Sequence, residues 1–259
     1  MVVPTLDPGP YLLDSVRGCG VRDEVAEVIV VNDHSTDLTN LELLDGIPGV
    51  RVVDNPGSRG VAAARLHGAS LAEADHLLFL DDDDLVLGEH LPTAAAQHDL
   101  GFGMVISAGW RLRAGRLLPL YGMAQRDLSR ERMARKSWIA SPGQVSMTRA
   151  AYETAGGFRV GPEGADDYDL WLRMFTLDLP RVFTGAPTFV YRERPGSLTR
   201  RVSLDDSAVA VRRAAGLPPG EDAMSPVRRA RAAVAGWVRQ RRSRPASGLH
   251  WTDGGWELR

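Results

Sequence analysis

The 259-residue chain has a single cysteine, Cys19. One thiol closes no intrachain disulfide and provides no metal-ligand spacing, so cysteine chemistry contributes neither a disulfide framework nor a zinc site. This usage fits a reducing cytoplasm, and with no pairing base suggested nearby there is little to support thiol catalysis. Long apolar runs are missing as well: none approaches the roughly 18 residues that span a bilayer. The N-terminus has no basic region ahead of an apolar stretch, and the expectation is a soluble, unexported, cytoplasmic protein. Charge of one sign is also lacking, because 31 Lys and Arg face 33 Asp and Glu for a formal net charge of -2. That balance argues against nucleic-acid binding by the whole chain. What is present is an ordinary globular composition, 44% hydrophobic and 25% charged, long enough for one large α/β domain or two small ones.

Short apolar runs alternate with amphipathic stretches. Residues 25–31, 50–53 and 76–80 read as strands, while residues 37–44 and the alanine-rich 58–74 are helix-compatible. This order predicts a mostly parallel central sheet with helices on its faces. Ligands of such sheets bind at the carboxyl ends of the strands, and polar clusters follow all three runs: Asn32-Asp33-His34-Ser35-Thr36-Asp37, Asn55-Pro56-Gly57-Ser58-Arg59-Gly60 and Asp81-Asp82-Asp83-Asp84. Taken singly, each also reads as loop chemistry, with Ser35 or Thr36 as a helix cap and Pro56-Gly57 as a turn. Together they point to one ligand-binding rim. The aspartate run is the sharpest signal, since four adjacent carboxylates repel one another unless a cation or a phosphate-bound metal neutralises them. Arg59 and Arg65, around the start of the alanine-rich helix, read either as diphosphate contacts or as helix-surface charge. His67 reads as an ordinary surface or core histidine and enters no site.

In the second half, residues 104–107 read as a strand and residues 110–120, centred on Ala114-Gly115, as a hairpin. Ser141-Pro142-Gly143-Gln144 leads into a short strand, and Gly156-Gly157-Phe158 breaks the helix that follows. Asp166-Asp167 opens onto an amphipathic helix over residues 168–175, with Leu170, Trp171, Met174 and Phe175 supplying its apolar surface. Two acids at a helix N-terminus complement its dipole with no further role required. Residues 182–183 and 188–191 read as closing strands that lead into a loop over 192–199. Residues 225–244, rich in arginine with Trp237 interspersed, read as a basic helix lying on anionic lipid or on another subunit, or as a solvated face. The end, residues 250–259, suggests no chemistry.

Pro4-Thr5, residues 28–37, Phe79-Leu80-Asp81-Asp82-Asp83-Asp84, Gly156-Gly157-Phe158 and residues 166–173 resemble, in this order, the motifs of family 2 nucleotide-sugar glycosyltransferases. The resemblance runs from the first residues to about Arg201. It implies a GT-A fold over residues 1–201, with a Rossmann-like nucleotide-sugar-binding half (1–100) and an acceptor-binding half (101–201), followed by a basic helical extension (202–259). It further implies inverting transfer from a nucleoside-diphosphate sugar, UDP first and TDP second, to the hydroxyl of a saccharide, a lipid-linked or a small-molecule acceptor, assisted by Mn²⁺ or Mg²⁺. Pro4, Thr5, Arg59, Arg65, Asp81 and Asp82 then fall in the donor site, and Asp33 becomes the reader of the uracil imide N–H. Asp81 and Asp83 match the metal-binding acids, Asp83 being the preferred direct ligand, and hard oxygens suit either ion. Asp167, or its neighbour Asp166, stands where the family carries its general base. Arg194, where the family often has histidine, is expected to clamp the diphosphate. Asn32, His34 and Leu66 depart from commoner aspartate, glycine and asparagine, and the segment between Tyr11 and Val25 is compressed.

Other classes fit less well. Asp81-any-Asp83 also resembles the nucleophile loop of aspartate-based phosphatases, but Leu85 stands where that family has a small β-branched residue, and two strand-helix units precede the motif. An isoprenoid-synthase aspartate motif requires an all-helical context. A sugar nucleotidyltransferase would carry a glycine-rich basic loop where Leu6-Asp7-Pro8-Gly9-Pro10 stands. A non-catalytic sugar-nucleotide-binding module remains open.

Overall fold

β-branched runs form three parallel strands, β1 (Val2–Thr5), β2 (Val28–Asn32) and β3 (Val50–Asp54), with β2 at the centre. The computed structural model describes residues 1–19, 27–120, 127–161, 164–194, 204–217, 244–252 and 255–258. β1 and β2 are buried on both faces, hence their unbroken apolar sequence, whereas β3 forms the edge and is largely exposed. Alternation along the strands divides the core between two faces. Val2, Ile29 and Val31 pack with Ala64 and Ala69 of helix α3 (Val61–Leu71), while Val3, Val28 and Val30 pack with Leu12 and Val16 of α1 (Leu12–Cys19) and Leu41 of α2 (Thr39–Glu42). Contact between α3 and the sheet is close at Gly68, where a Cβ would fall 2.4 Å from Val2 Cγ1 and 2.9 Å from Val31 Cγ2.

The sheet continues past β1. Phe79 bridges Val2 in parallel and Leu80 N donates to Val2 O at 3.0 Å, which places β4 (His76–Leu78) beside β1. Beyond β4 the pairing changes character. With β5 (Leu85–Val86), β6 (Met104–Arg113), β7 (Arg116–Pro119), β8 (Val145–Thr148), β9 (Arg181–Arg192) and β10 (Arg244–Pro245), β4 forms a seven-stranded sheet in which β4 pairs β8, β8 pairs β6, β6 pairs β7, β5 pairs β9 and β10 pairs β7, all antiparallel, while β6 pairs β9 in parallel. The expected mostly parallel sheet is therefore corrected to a mixed one. The reason is partly local: Ala114 and Gly115, both at positive φ (46° and 70°), close a two-residue hairpin between β6 and β7, and such a turn joins only antiparallel strands. The two closing strands expected near 182–191 are one strand, β9, whose register with β6 shifts around Ala108.

Helix α4 (His90–Asp99) packs on β6, and α5 (Arg130–Arg135) and α6 (Arg149–Thr154) are capped by Ser129 Oγ and Thr148 Oγ1. Helix α7 (Asp166–Thr176) starts at Asp166, so the acid pair lies within its first turn, and it buries Leu170, Trp171, Met174 and Phe175. Helix α8 (Leu204–Ala214) packs on α7 and adds Val211 to the same core. The final residues form a hairpin of β11 (Leu249–Thr252) and β12 (Gly255–Leu258) that returns to the first half, where Trp256 Nε1 donates to Asp14 O (3.2 Å) and Trp256 O accepts from Gly88 N (2.8 Å). Residues 25–26 of the expected first strand, 195–199 of the 192–199 loop, and all of the expected basic helix except Arg244 lie outside the described residues. Among the described residues no helix is long and apolar enough to cross a membrane.

Gly68→Ala is expected to lower stability by about 1–3 kcal/mol through overpacking against Val2 and Val31, although the same change in a solvated helix would raise it by about 1 kcal/mol. Urea denaturation of the two proteins checks the sign.

Candidate functional site

Each polar cluster of the sequence sits at a strand end, and the Asp33 carboxylate joins the first to the second. Asp33, buried at the end of β2, accepts from Asn55 Nδ2 (2.7 Å) with one oxygen and from Gly60 N (2.8 Å) with the other. Gly60, at φ 147°, precedes α3 without a side-chain cap, and the Asp33 carboxylate holds this entry to the helix from the neighbouring strand. Asp7 ties the first cluster to β1 by accepting from Thr36 N (2.6 Å) and Asp37 N (3.1 Å). Those amides, Asp37 first, hold its carboxyl below the usual range. Arg59 is exposed on this rim.

The aspartate run is divided among four sets of partners. Asp81 accepts from Arg65 Nη2 at 2.5 Å, and Asp82 accepts from Thr5 Oγ1 at 2.5 Å, beside the buried Pro4. Asp83 pairs with Arg194 Nε, while its backbone oxygen accepts from Arg192 Nε (2.8 Å). Asp84, with no exposed surface, accepts from Ser141 Oγ and from Arg192 N, both at 2.9 Å, and so fastens β9 and the Ser141 loop to the strand end. Burial is the largest influence on three of these acids. It pushes Asp82 up to about 6 against the Thr5 hydrogen bond, and it raises Asp83 and, further, Asp84, with repulsion inside the run adding to both.

Arg65 connects the two halves of the site. Only 4% exposed, it donates through Nη2 to Asp81 and through Nη1 to Asp166, each at 2.5 Å, with Asp166 lying 101 residues further along the chain. The Phe158 ring lies 5.3 Å from its Cζ, positioned by a turn in which Gly156 and Gly157 adopt φ of 78° and 62°. Arg173 Nη2 on α7 donates to Gly157 O at 2.7 Å and holds that turn to the helix. Both terminal nitrogens of Arg65 donate to carboxylates, while its buried Nε has no hydrogen-bond partner among the described residues. Asp167, next to the paired Asp166, is half-buried and accepts only its neighbour's amide, Tyr168 N, at 2.6 Å among the hydrogen bonds of the described residues. Burial first, then repulsion from Asp166, pushes its carboxyl up to about 7 against the pull of Arg65.

The structure therefore brings Thr5, Arg65, Asp81, Asp82, Asp83, Asp166, Asp167 and Arg194 into one connected set, with Asp33 on the adjacent strand end. Among the described residues no group of three or more His, Cys, Asp or Glu side chains is arranged to hold a metal ion. Asp81 and Asp83 do present hard carboxylate oxygens at one strand end, a donor set that fits Mg²⁺ or Mn²⁺ when the remaining ligands come from water or a diphosphate.

The sequence profile of glycosyl transferase family 2 matches residues 1–142, more than half of the chain. This chain belongs to glycosyl transferase family 2. The match ends before Asp166-Asp167, which tertiary contacts alone connect to the family region. Similar curated proteins include an uncharacterized glycosyltransferase of Haemophilus influenzae, 26% identical over 152 residues (57% of this chain, 51% of that protein), and the putative glycosyltransferase EpsE of Bacillus subtilis, 27% identical over 163 residues (58% and 56%). The chain spans about half the length of these curated relatives. Its GT-A fold is shared with S. aureus TarS 1-349 in complex with UDP-GlcNAc, at a TM-score of 0.65 and 19% identity over 81% of this chain and 64% of that one.

Sequence reasoning missed Asp7, Ser141 and Arg192 because their partners are remote in the chain. A lone Asp after a strand was the one local hint, at Asp7. Replacing Arg65 with Met would leave Asp81 and Asp166 without their shared cation, and a loss of about 3–5 kcal/mol is expected in chemical denaturation. Arg65→Lys should recover little of it, since a single ammonium does not reproduce a fork spanning two carboxylates.

Proposed function

We propose that the chain transfers a sugar from a nucleoside-diphosphate sugar to an acceptor hydroxyl with inversion, in one displacement. The observation that carries the reading is the Arg65 bridge. It engages Asp166 and leaves Asp167 beside it with a carboxyl pushed up to about 7, a value suited to a general base near neutral pH. Asp167 accepts the acceptor hydroxyl's proton as that oxygen attacks the anomeric carbon. The bond from that carbon to the diphosphate oxygen breaks on the opposite face, and its electron pair leaves with the nucleoside diphosphate.

Asp83 and Asp81 are the residues that would hold Mn²⁺ or Mg²⁺. An ion there supplies positive charge against the negative charge that develops on the leaving diphosphate. Pro4, Thr5 and Asp82 line the donor's path at the end of β1, with Arg59 on the open rim and Arg194 available to the diphosphate. Asp33 reads the nucleobase, because each carboxylate oxygen has a second lone pair beyond those serving Asn55 and Gly60. UDP is the first choice of nucleotide and TDP the second. Support for UDP comes from TarS, solved with UDP-GlcNAc and with UDP. Cysteine usage favours the cytoplasm as the place of reaction. The acceptor is a hydroxyl compound of unassigned class.

Asp167→Asn should reduce kcat by about 10²–10⁴-fold, the usual contribution of a positioned base, while the UDP affinity measured by calorimetry stays within about twofold; wild-type turnover would remove Asp167 from the role. Since the base works deprotonated, kcat/KM of the wild type should fall as pH drops below about 7 and level off above it, which a pH-rate profile checks. In a thermal-shift series of UDP, TDP, GDP and CDP with Mn²⁺, UDP should give the largest rise in Tm.

A further inference from the structure

The acid pair Asp82-Asp83 already has a cation of its own. Arg194 pairs through Nε with Asp83 Oδ2, and its Nη2 lies 3.4 Å from Asp82 Oδ1. Among the described residues both of its ion pairs go to the acidic loop. Two positions earlier, Arg192 is fastened on several sides: its amide donates to Asp84 (2.9 Å), its Nε to Asp83 O (2.8 Å), its guanidinium lies 4.1 Å from the Tyr11 ring centre, and Nη2 is 3.5 Å from Asp14. Their side chains are 13% exposed for Arg192 and 35% for Arg194. Arg192 is thus an anchor, while Arg194, about one-third exposed, is held among the described residues by charge-assisted hydrogen bonds to Asp83 and Asp82.

A guanidinium and a divalent ion compete for the same carboxylate, and each repels the other beside it. The guanidinium has a better partner once a donor arrives, since its planar fork matches phosphate oxygens. We propose that Arg194 is a resident counter-ion that a divalent cation must displace from Asp83, and that a nucleoside diphosphate draws Arg194 away, so that metal and donor bind cooperatively. The proposal rests on the reading of Asp83 and Asp81 as metal ligands. Its consequence is a site that holds little metal until the donor is present, with reciprocal effects of metal and nucleotide on each other's affinity.

The test is Mn²⁺ binding to the full chain, followed by the electron paramagnetic resonance signal of the free ion, with and without UDP. Wild type should bind Mn²⁺ weakly alone and roughly 10–100-fold more tightly with UDP, within the usual range of coupling. Arg194→Met, which keeps the apolar stem, should bind Mn²⁺ alone about tenfold more tightly than wild type and show a correspondingly smaller UDP effect, the part due to ligation by the diphosphate remaining, whereas Arg194→Lys should stay near wild type. Equal Mn²⁺ affinity in wild type and Arg194→Met, with binding abolished in Asp83→Asn, would overturn the counter-ion role while leaving the metal site in place. Undiminished binding in Asp83→Asn would overturn the metal-site reading and the counter-ion role with it.

Discussion

A guanidinium buried to 4% exposure is stable only if its charge is matched where it lies, and Arg65 is matched twice, by Asp81 at the end of the β4 strand and by Asp166 in the first turn of α7. The rest of the site depends on this bracket. It joins the acidic loop of the parallel region to a helix that packs under the mixed sheet, and it sets the unequal environments of Asp166 and Asp167. Phe158 covers one side of the guanidinium and follows directly on the Gly156-Gly157 turn, whose two left-handed residues suit glycine.

The four consecutive aspartates illustrate how a repulsive sequence becomes tolerable. Each acid receives a different compensation: Arg65 for Asp81, the Thr5 hydroxyl for Asp82, Arg194 for Asp83, and Ser141 with an amide for Asp84. The fully buried Asp84 serves architecture by holding the end of β9. Asp81, Asp82 and Asp83 keep some exposed surface, Asp81 the most, and only Asp84 is wholly enclosed.

Much of the site was legible beforehand because its signals are local. The apolar run of residues 76–80 ends in carboxylates, Asn32-Asp33 follows a strand, and Ala114-Gly115 closes a hairpin, as the structure bears out. Other features were illegible for a common reason. Of the two acids that Arg65 bridges, Asp166 lies 101 residues away, and the mostly parallel sheet gave way to antiparallel pairs made by segments far apart in the chain. Nothing local in Arg192 or Ser141 distinguishes them from surface loop residues.

By itself the sequence determined the strands that end at Asn32, Asp54 and Leu78, the hairpin at Ala114-Gly115, the helices around residues 61–71 and 166–176, which strand ends carry acids, and the family to which the ordered motifs belong, because periodicity, turn chemistry and motif order act over a few residues at a time. Only the tertiary structure decided how the strands pair past β4, which carboxylate each arginine neutralises, and that Asp166 is engaged while Asp167 is left with a raised carboxyl. Those outcomes depend on burial and on the distances between charges, which exist only once remote parts of the chain have been brought together.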